Sequence, residues 1–378
     1  MVSIPTRISA FFDAYQGATP HLVISLDVVR RNYRALEEAM PAARHHYAIK
    51  ANPHPDILRA LHALGCAFEC ASLTEIDMCL EAGAAGEDIL YGNPVKKVSE
   101  IEGAVARGVR QFVFDAEAEL DKLIAHAPGA QLICRIQTTG EGAVSPLSSK
   151  FGCPPERAAE WLLRAAQSGM VAHGVSFHTG SQQLDPQAWR APIAASAMVF
   201  DTLRKAGVRT MSVLDVGGGF PTPYRAPVPP VTAFGEAILQ AMQDHFGADQ
   251  PLIYTEPGRY LASDAGFILA EAVLIAPHHA LDGHRWTYLD IGRYGGLVEE
   301  KIDYPVLPLN AASGPVGPVL LAGQTCDSND VIYDQTFGYE LPLALKPGDR
   351  VVLAHTGVYT TTYSTTLNGF PTLTSECV

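Results

Sequence analysis

Positive charge is scarce in this chain. Its 378 residues hold 27 Lys and Arg against 40 Asp and Glu, a net charge of −13. Nucleic acid and anionic membranes call for basic surfaces, so neither is an expected partner. Long apolar runs are also missing. No stretch approaches the roughly 18 apolar residues that a membrane-spanning helix needs. The opening Met-Val-Ser-Ile-Pro-Thr-Arg-Ile-Ser has no apolar core of signal-peptide length. The seven cysteines are an odd number and show neither CxxC pairs nor zinc spacing. Reduced thiols in a cytoplasmic protein are therefore expected, with no metal site. There is no solenoid-length repeat and no low-complexity tract. What remains is an ordinary globular composition, 47% hydrophobic and 18% charged, long enough for one large or two medium domains.

A strand is expected over 21–26 and a helix over 28–40, with Asp27 as its N-cap. Short apolar runs then recur near 45–50, 67–71, 88–92, 111–115, 131–136, 172–178, 212–216 and 252–256. Helical patterns lie between them, as at 55–64, 73–82 and 156–168. Eight strands alternating with helices over about 220 residues suit a (β/α)₈ barrel, with a doubly wound open sheet as the alternative. Polar or glycine-rich residues follow strand after strand: Lys50, Ser72, Asn93, His178, Gly217 to Gly219 and Glu256. Barrel enzymes assemble their sites at the carboxyl ends of the strands, which favours the barrel. After about Leu261 the helical period fades, and apolar runs at 267–276, 286–291, 318–322 and 350–354 alternate with turn residues. The expected division is a barrel over 26–262 and a mostly antiparallel β domain made of 263–378 with residues 1–25. The proline-rich segment 224–231 reads as a loop, and residues 1–20 as mixed.

The stretch His45-His46-Tyr47-Ala48-Ile49-Lys50-Ala51-Asn52-Pro53 ends a buried strand on a lysine. Such a lysine is costly unless it is paired, deprotonated or used covalently. The productive case is a Schiff base with pyridoxal phosphate, since a desolvated lysine is a nucleophile near neutral pH; a surface lysine beyond a strand end competes. Gly217-Gly218-Gly219 follows a buried run and could close backbone N–H groups on a phosphate, or simply turn. It continues into Phe-Pro-Thr-Pro rather than a helix, which does not fit a dinucleotide fingerprint. Glu256-Pro257-Gly258-Arg259 offers a carboxylate for a heterocyclic nitrogen and a guanidinium for phosphate, or a loop salt bridge. His178 could stack on a ring and Ser181 could meet a phosphate, or the imidazole could be a hydrogen-bonded structural residue, the commoner case for a lone histidine. Cys326-Asp327 puts a thiol beside a carboxylate, a potential acid and a potential cation binder, or a polar turn. Tyr359 and Phe370 offer a hydroxyl and an aromatic wall, or core.

Assembled, the order Tyr-Ala-Ile-Lys-Ala-Asn, Ser-Lys-Phe-Gly, Ser-Phe-His-Thr-Gly-Ser, Gly-Gly-Gly-Phe-Pro, Glu-Pro-Gly-Arg, Cys-Asp-Ser-Asn-Asp, Gly-Val-Tyr-Thr, Asn-Gly-Phe resembles the fold-type III pyridoxal phosphate decarboxylases of ornithine, lysine and diaminopimelate. The resemblance covers nearly the whole chain. It implies an alanine-racemase-like barrel with a β domain, and a homodimer whose sites each borrow the Cys326 loop of the other subunit. It implies that Lys50 carries the cofactor, that His178 stacks on its ring and that Glu256 meets the pyridine nitrogen. Ser181, Gly219, Gly258, Arg259 and Tyr359 would contact the phosphate. Cys326 would protonate the carbanion, Asp327 and Asp290 would meet the distal amine of the substrate, and Phe370 would wall the pocket. Glu69 stands where the eukaryotic ornithine enzymes carry an aspartate. The run Gly292-Arg293-Tyr294-Gly295-Gly296 looks like that of bacterial ornithine/lysine enzymes. The implied reaction is decarboxylation of a basic L-amino acid, ornithine to putrescine and CO₂ in polyamine biosynthesis first. Lysine or diaminopimelate decarboxylation, or a non-catalytic relative that binds protein, are the alternatives.

Overall fold

The computed structural model describes residues 4–147, 149–299, 301–309 and 314–378. The chain divides into two compact units, 30–222 with 228–261, and 1–29 with 223–227 and 262–378.

The larger unit contains a closed, all-parallel barrel of eight strands: β1 (Arg44–Ala48), β2 (Ala67–Cys70), β3 (Ile89–Tyr91), β4 (Gln111–Phe114), β5 (Gln131–Arg135), β6 (Val171–Ser176), β7 (Val213–Asp215) and β8 (Leu252–Thr255). Every expected strand lies at its expected place. β8 closes onto β1 through Tyr254 opposite Arg44 and Thr255 opposite His45. Leu90, Val113, Ile133, Val213 and Tyr254, from five of the strands, form a buried cluster. Barrel strands pack on both faces, which is why they read as apolar runs rather than as alternating patterns. The expected helices form at Pro55–His62, Leu73–Glu81 and Pro155–Gln167. The helix expected over 28–40 forms at Leu26–Ala39, beginning earlier than expected and taking Asp27 into its first turn rather than at its cap. An acidic residue there suits the positive end of the helix dipole.

The smaller unit is a nine-stranded, mostly antiparallel sheet. Its long strand Gly266–Pro277 pairs with Arg350–Ala354, with Arg285–Leu289 and with the N-terminal strand His21–Ile24. One inner pair is parallel, Arg285–Leu289 beside Val316–Gly323. Ile8, Phe12, Val23, Phe267, Leu269, Val352 and Ala354 form its buried core. Ile8 and Phe12 come from a helix, Thr6–Ala14, that replaces the mixed segment expected there. Their i, i+4 spacing puts both on one face, a signal too short to stand out in a nine-residue helix. The proline-rich loop supplies Pro223–Pro227 to this unit, where the Arg225 guanidinium lies 4.3 Å from the Tyr339 ring centroid and donates to the Phe337 carbonyl at 2.8 Å. Among the described residues no helix is long and apolar enough to cross a membrane.

Candidate active site

At the carboxyl end of the barrel, β1 stops at Ala48 and the chain turns through a 3₁₀ helix, Ile49–Ala51. That turn lifts Lys50 out of the strand, and its side chain is 49% exposed rather than buried. Its ammonium is paired, not desolvated: Nζ donates to Oε2 of the buried Glu69 at 3.1 Å. Glu69, one residue before the end of β2, faces Gly92, where a Cβ would stand 2.3 Å from Oε1. A glycine at 92 therefore leaves the room that the Glu69 carboxylate occupies.

Three carboxyl groups collect here. Asp215, the last residue of β7, is fully buried and accepts the Gly217 N–H through Oδ1 at 2.9 Å. It is hydrogen-bonded to the side chain of Glu256, just past β8. Burial raises Asp215 to about 6. Glu256 is pushed well above the carboxylate range, first by desolvation, then by the charges of Asp215 and Glu69, with Lys50 opposing. Two hydrogen-bonded carboxyls share one proton, so this cluster holds a proton that a base placed nearby can take.

His178 follows β6. The Gly180 N–H donates to its Nδ1 at 2.9 Å, which leaves the remaining ring proton on Nε2. Desolvation, with Arg135 and Lys50 nearby, lowers it to about 3, so the imidazole is neutral. A neutral ring is suited to stacking against a heterocycle. The glycine run threads between this segment and Glu256. Gly217 accepts the Glu256 N–H at 2.9 Å, and the Gly219 carbonyl accepts the Gln183 N–H at 2.9 Å. Gly219 has φ +96°, and a Cβ would stand 2.3 Å from the Gly180 carbonyl oxygen. Beside it, Arg259 is buried and its Nη2 donates to Ser181 Oγ at 3.2 Å. Gly258 immediately precedes the short helix Arg259–Ala262. Guanidinium, hydroxyl and glycine backbone in one place are what a phosphate requires.

The β unit holds a second cluster. Cys326 is the one exposed cysteine of the seven; five are buried and Cys377 is partly buried. Asp327 accepts from the Tyr294 hydroxyl at 2.9 Å and from the Asn329 N–H and amide at 2.8 and 3.1 Å. The Asn329 N–H, then Tyr294, hold its carboxyl below the usual range. Buried Asp330 clasps the loop, with Oδ2 accepting from the Thr325 hydroxyl at 2.6 Å and Oδ1 from the Arg293 N–H at 2.7 Å. Asp290 accepts the Glu271 N–H at 2.8 Å and bonds the Thr19 side chain, and burial raises its carboxyl. Asp290, Tyr294, Thr325 and Phe370 line a small cavity of about 30 Å³. Tyr359 is partly buried, with a left-handed backbone (φ 54°) and its ring 6.2 Å from that of Tyr363.

The structure thus gathers Lys50, His178, Ser181, Gly219, Glu256, Gly258 and Arg259 at the barrel's carboxyl end. Cys326, Asp327, Asp290, Tyr359 and Phe370 belong to the β unit. Sequence reading passed over Asp215 and Arg135. Each is a charged residue ending an otherwise apolar run, Val-Leu-Asp and Leu-Ile-Cys-Arg, and that is the signal that could have found them.

An anionic floor with a proton to give, a neutral imidazole, a lysine at its rim and a glycine cradle beside a buried arginine fit a phosphorylated heterocyclic aldehyde. The fold and site define a barrel lyase of the pyridoxal phosphate class. Residues 26–263 match the family "Pyridoxal-dependent decarboxylase, pyridoxal binding domain", and the chain belongs to that family. It is 35% identical to the lysine/ornithine decarboxylase of Selenomonas ruminantium over 363 residues, 95% of this chain and 90% of that one. The structure of a lysine/ornithine decarboxylase from Vibrio vulnificus, complexed with putrescine, superposes with a TM-score of 0.89 at 31% identity, covering 100% of this chain and 99% of that one. The arginine decarboxylase of Paramecium bursaria Chlorella virus, bound to agmatine, superposes with a TM-score of 0.90 at 26% identity, covering 99% of this chain and 100% of that one. The protein is a pyridoxal 5′-phosphate-dependent amino-acid decarboxylase acting on a basic amino acid.

Proposed function

We propose that the protein converts L-ornithine to putrescine and CO₂, with L-lysine as the competing substrate. Pyridoxal phosphate, when bound, supplies an aldehyde for an amine and a ring that accepts the electrons left at Cα when CO₂ departs. Lys50 is the amine that holds the aldehyde between turnovers. Glu256 holds a proton at the pyridine nitrogen, drawn from the pool it shares with Asp215. His178 stacks on the ring as a neutral imidazole. Ser181, the Gly219 and Gly258 backbone, Arg259 and Tyr359 hold the phosphate. Cys326 returns a proton to Cα. The chain acts as a homodimer in the cytoplasm, and each site is completed by the partner's Cys326 loop.

The observation that carries the choice of substrate is Asp327. Its carboxyl is kept ionised by the Asn329 and Tyr294 hydrogen bonds and follows Cys326 directly in the chain, which supports a role in receiving a distal ammonium. A charge-assisted bond to that ammonium is worth roughly 1.5–3 kcal/mol. Asp290 is the second carboxylate proposed for the amine, with the weaker claim: its Oδ1 already receives the Glu271 N–H and burial favours its neutral form. A diaminopimelate enzyme would need a cation here instead of an anion. The test is kcat/KM for ornithine, lysine, arginine and meso-diaminopimelate. Ornithine ranks first, and Asp327→Ala loses about tenfold to a hundredfold in efficiency on the diamino acids. Preference for diaminopimelate, or unchanged ornithine turnover in Asp327→Ala, refutes the assignment.

A further inference from the structure

Asn368 lies in the turn that follows Thr366, with φ 57° and ψ 13°, a left-handed backbone that asparagine tolerates and bulkier residues resist. Its carboxamide meets Cys326 twice. Oδ1 accepts the Cys326 N–H at 3.1 Å, and Nδ2 donates to Cys326 Sγ at 3.3 Å. One short planar group thus holds the residue by both its main chain and its sulfur, using the acceptor and the donor of an amide. The loop around Cys326 has its own ties, through Asp327 to Asn329 and through Asp330 to Thr325 and Arg293. The particular contribution of Asn368 is therefore the contact to sulfur.

A sulfur that accepts an N–H has its own S–H pointing elsewhere, free to donate. When that proton leaves, the same N–H faces a thiolate, and a hydrogen bond to an ionised group is stronger than one to a neutral group. We infer that Asn368 is the positioning residue for Cys326: it aims the thiol as a donor and stabilises the thiolate left behind. This rests on the reading of Cys326 as the acid. In that step the S–H bond breaks, the electron pair left at Cα by departing CO₂ forms the new C–H bond, and solvent reprotonates the sulfur.

The test uses the holoenzyme and two variants. Asn368→Asp keeps Oδ1 but replaces the donor with an anion. Asn368→Gly keeps the left-handed backbone and removes both bonds. Two quantities are measured: the pH dependence of iodoacetamide alkylation at Cys326, mapped by peptide mass, and the separate values of kcat and KM. Asn368→Asp moves the alkylation midpoint to higher pH and slows alkylation near neutrality by about three- to tenfold, the worth of one hydrogen bond. Asn368→Gly shifts it the same way by less, and both variants lose kcat with KM held. Superimposable alkylation profiles for all three proteins, with Cys326→Ala inactive, overturn the positioning role alone. Undiminished kcat in Cys326→Ala overturns the acid reading, and the positioning role with it.

Discussion

Glu256 and Asp215 share a proton because neither can ionise cheaply beside the other and Glu69. In the proposed reaction a protonated pyridine nitrogen would relieve that crowding, so the charge cluster that is costly without cofactor would favour the cofactor's electron-accepting form. Glu256→Gln keeps the shape and removes the ionisation. Its kcat falls by about a hundredfold or more, a typical loss for a positioned acid–base group, with a much smaller change in cofactor affinity. Single-turnover CO₂ release beside cofactor titration separates the two, and normal turnover in Glu256→Gln would show that the proton argument fails. Lys50 and Glu256 were legible because each is a charged group ending an apolar run. Asp215 has the same signature but hides before three glycines. The exposure of Lys50 was not legible, since a 3₁₀ turn rather than a strand end carries it.

The glycine run after β7 works as an element rather than as three residues. It receives backbone hydrogen bonds from Glu256 and Gln183, and its path brings Gly219 against Gly180. A methyl at 219 meets a backbone carbonyl in a conformation with positive φ, so neither the neighbour nor the residue can yield. Strain of about 1–3 kcal/mol is the usual range. Gly219→Ala weakens pyridoxal phosphate binding by about tenfold to a hundredfold, read by absorbance titration of the apoprotein, while the barrel's circular dichroism is unchanged. Unaltered affinity would remove the run from the phosphate site. Among the elements, barrel strands were legible because each is a short apolar run followed by a helical period. Val306–Pro308, Val331–Tyr333, Tyr339–Pro342 and Thr374–Cys377 were not. Each is three or four residues long and is a strand only because a distant partner supplies its hydrogen bonds.

At the scale of the whole molecule, assembly and acid stability are both open to measurement. If the partner's Cys326 completes each site, mixing inactive Lys50→Ala with inactive Cys326→Ala restores activity in about a quarter of all sites after random exchange. No recovery despite demonstrated subunit exchange would place both residues' work within one chain. Acid stability follows from the histidines of β1. Burial lowers His45 to about 4 and His46 to about 3, against about 6.5 in an unfolded chain. The unfolded state therefore binds protons that the folded state refuses, and stability drains away as pH falls from about 6.5 toward 4 and 3. Asp215 acts in the opposite sense: its raised value favours the folded state at low pH, an advantage lost as pH rises through about 6. Each of the two histidines contributes about 2 kcal/mol of loss by pH 5; His178 acts in the same sense and the raised Glu256 in the sense of Asp215. His46→Asn flattens the fall in urea midpoint between pH 7 and 5; an equal slope would assign the acid lability elsewhere.

From sequence alone came the barrel, the β domain after it and the cofactor class, with Lys50, His178, Glu256, Arg259 and Cys326 as candidate site residues. These follow from local signals: period, charge at strand ends, and short motifs. Only the folded chain decided that Lys50 is paired with Glu69, that Asp215 joins Glu256, that Asp290 is tied to Glu271 and Thr19, and that Asn368 grips Cys326. Each of these joins residues that are far apart in sequence. Hydrogen bonds and desolvation depend on distance in space, which no residue's neighbours along the chain can report.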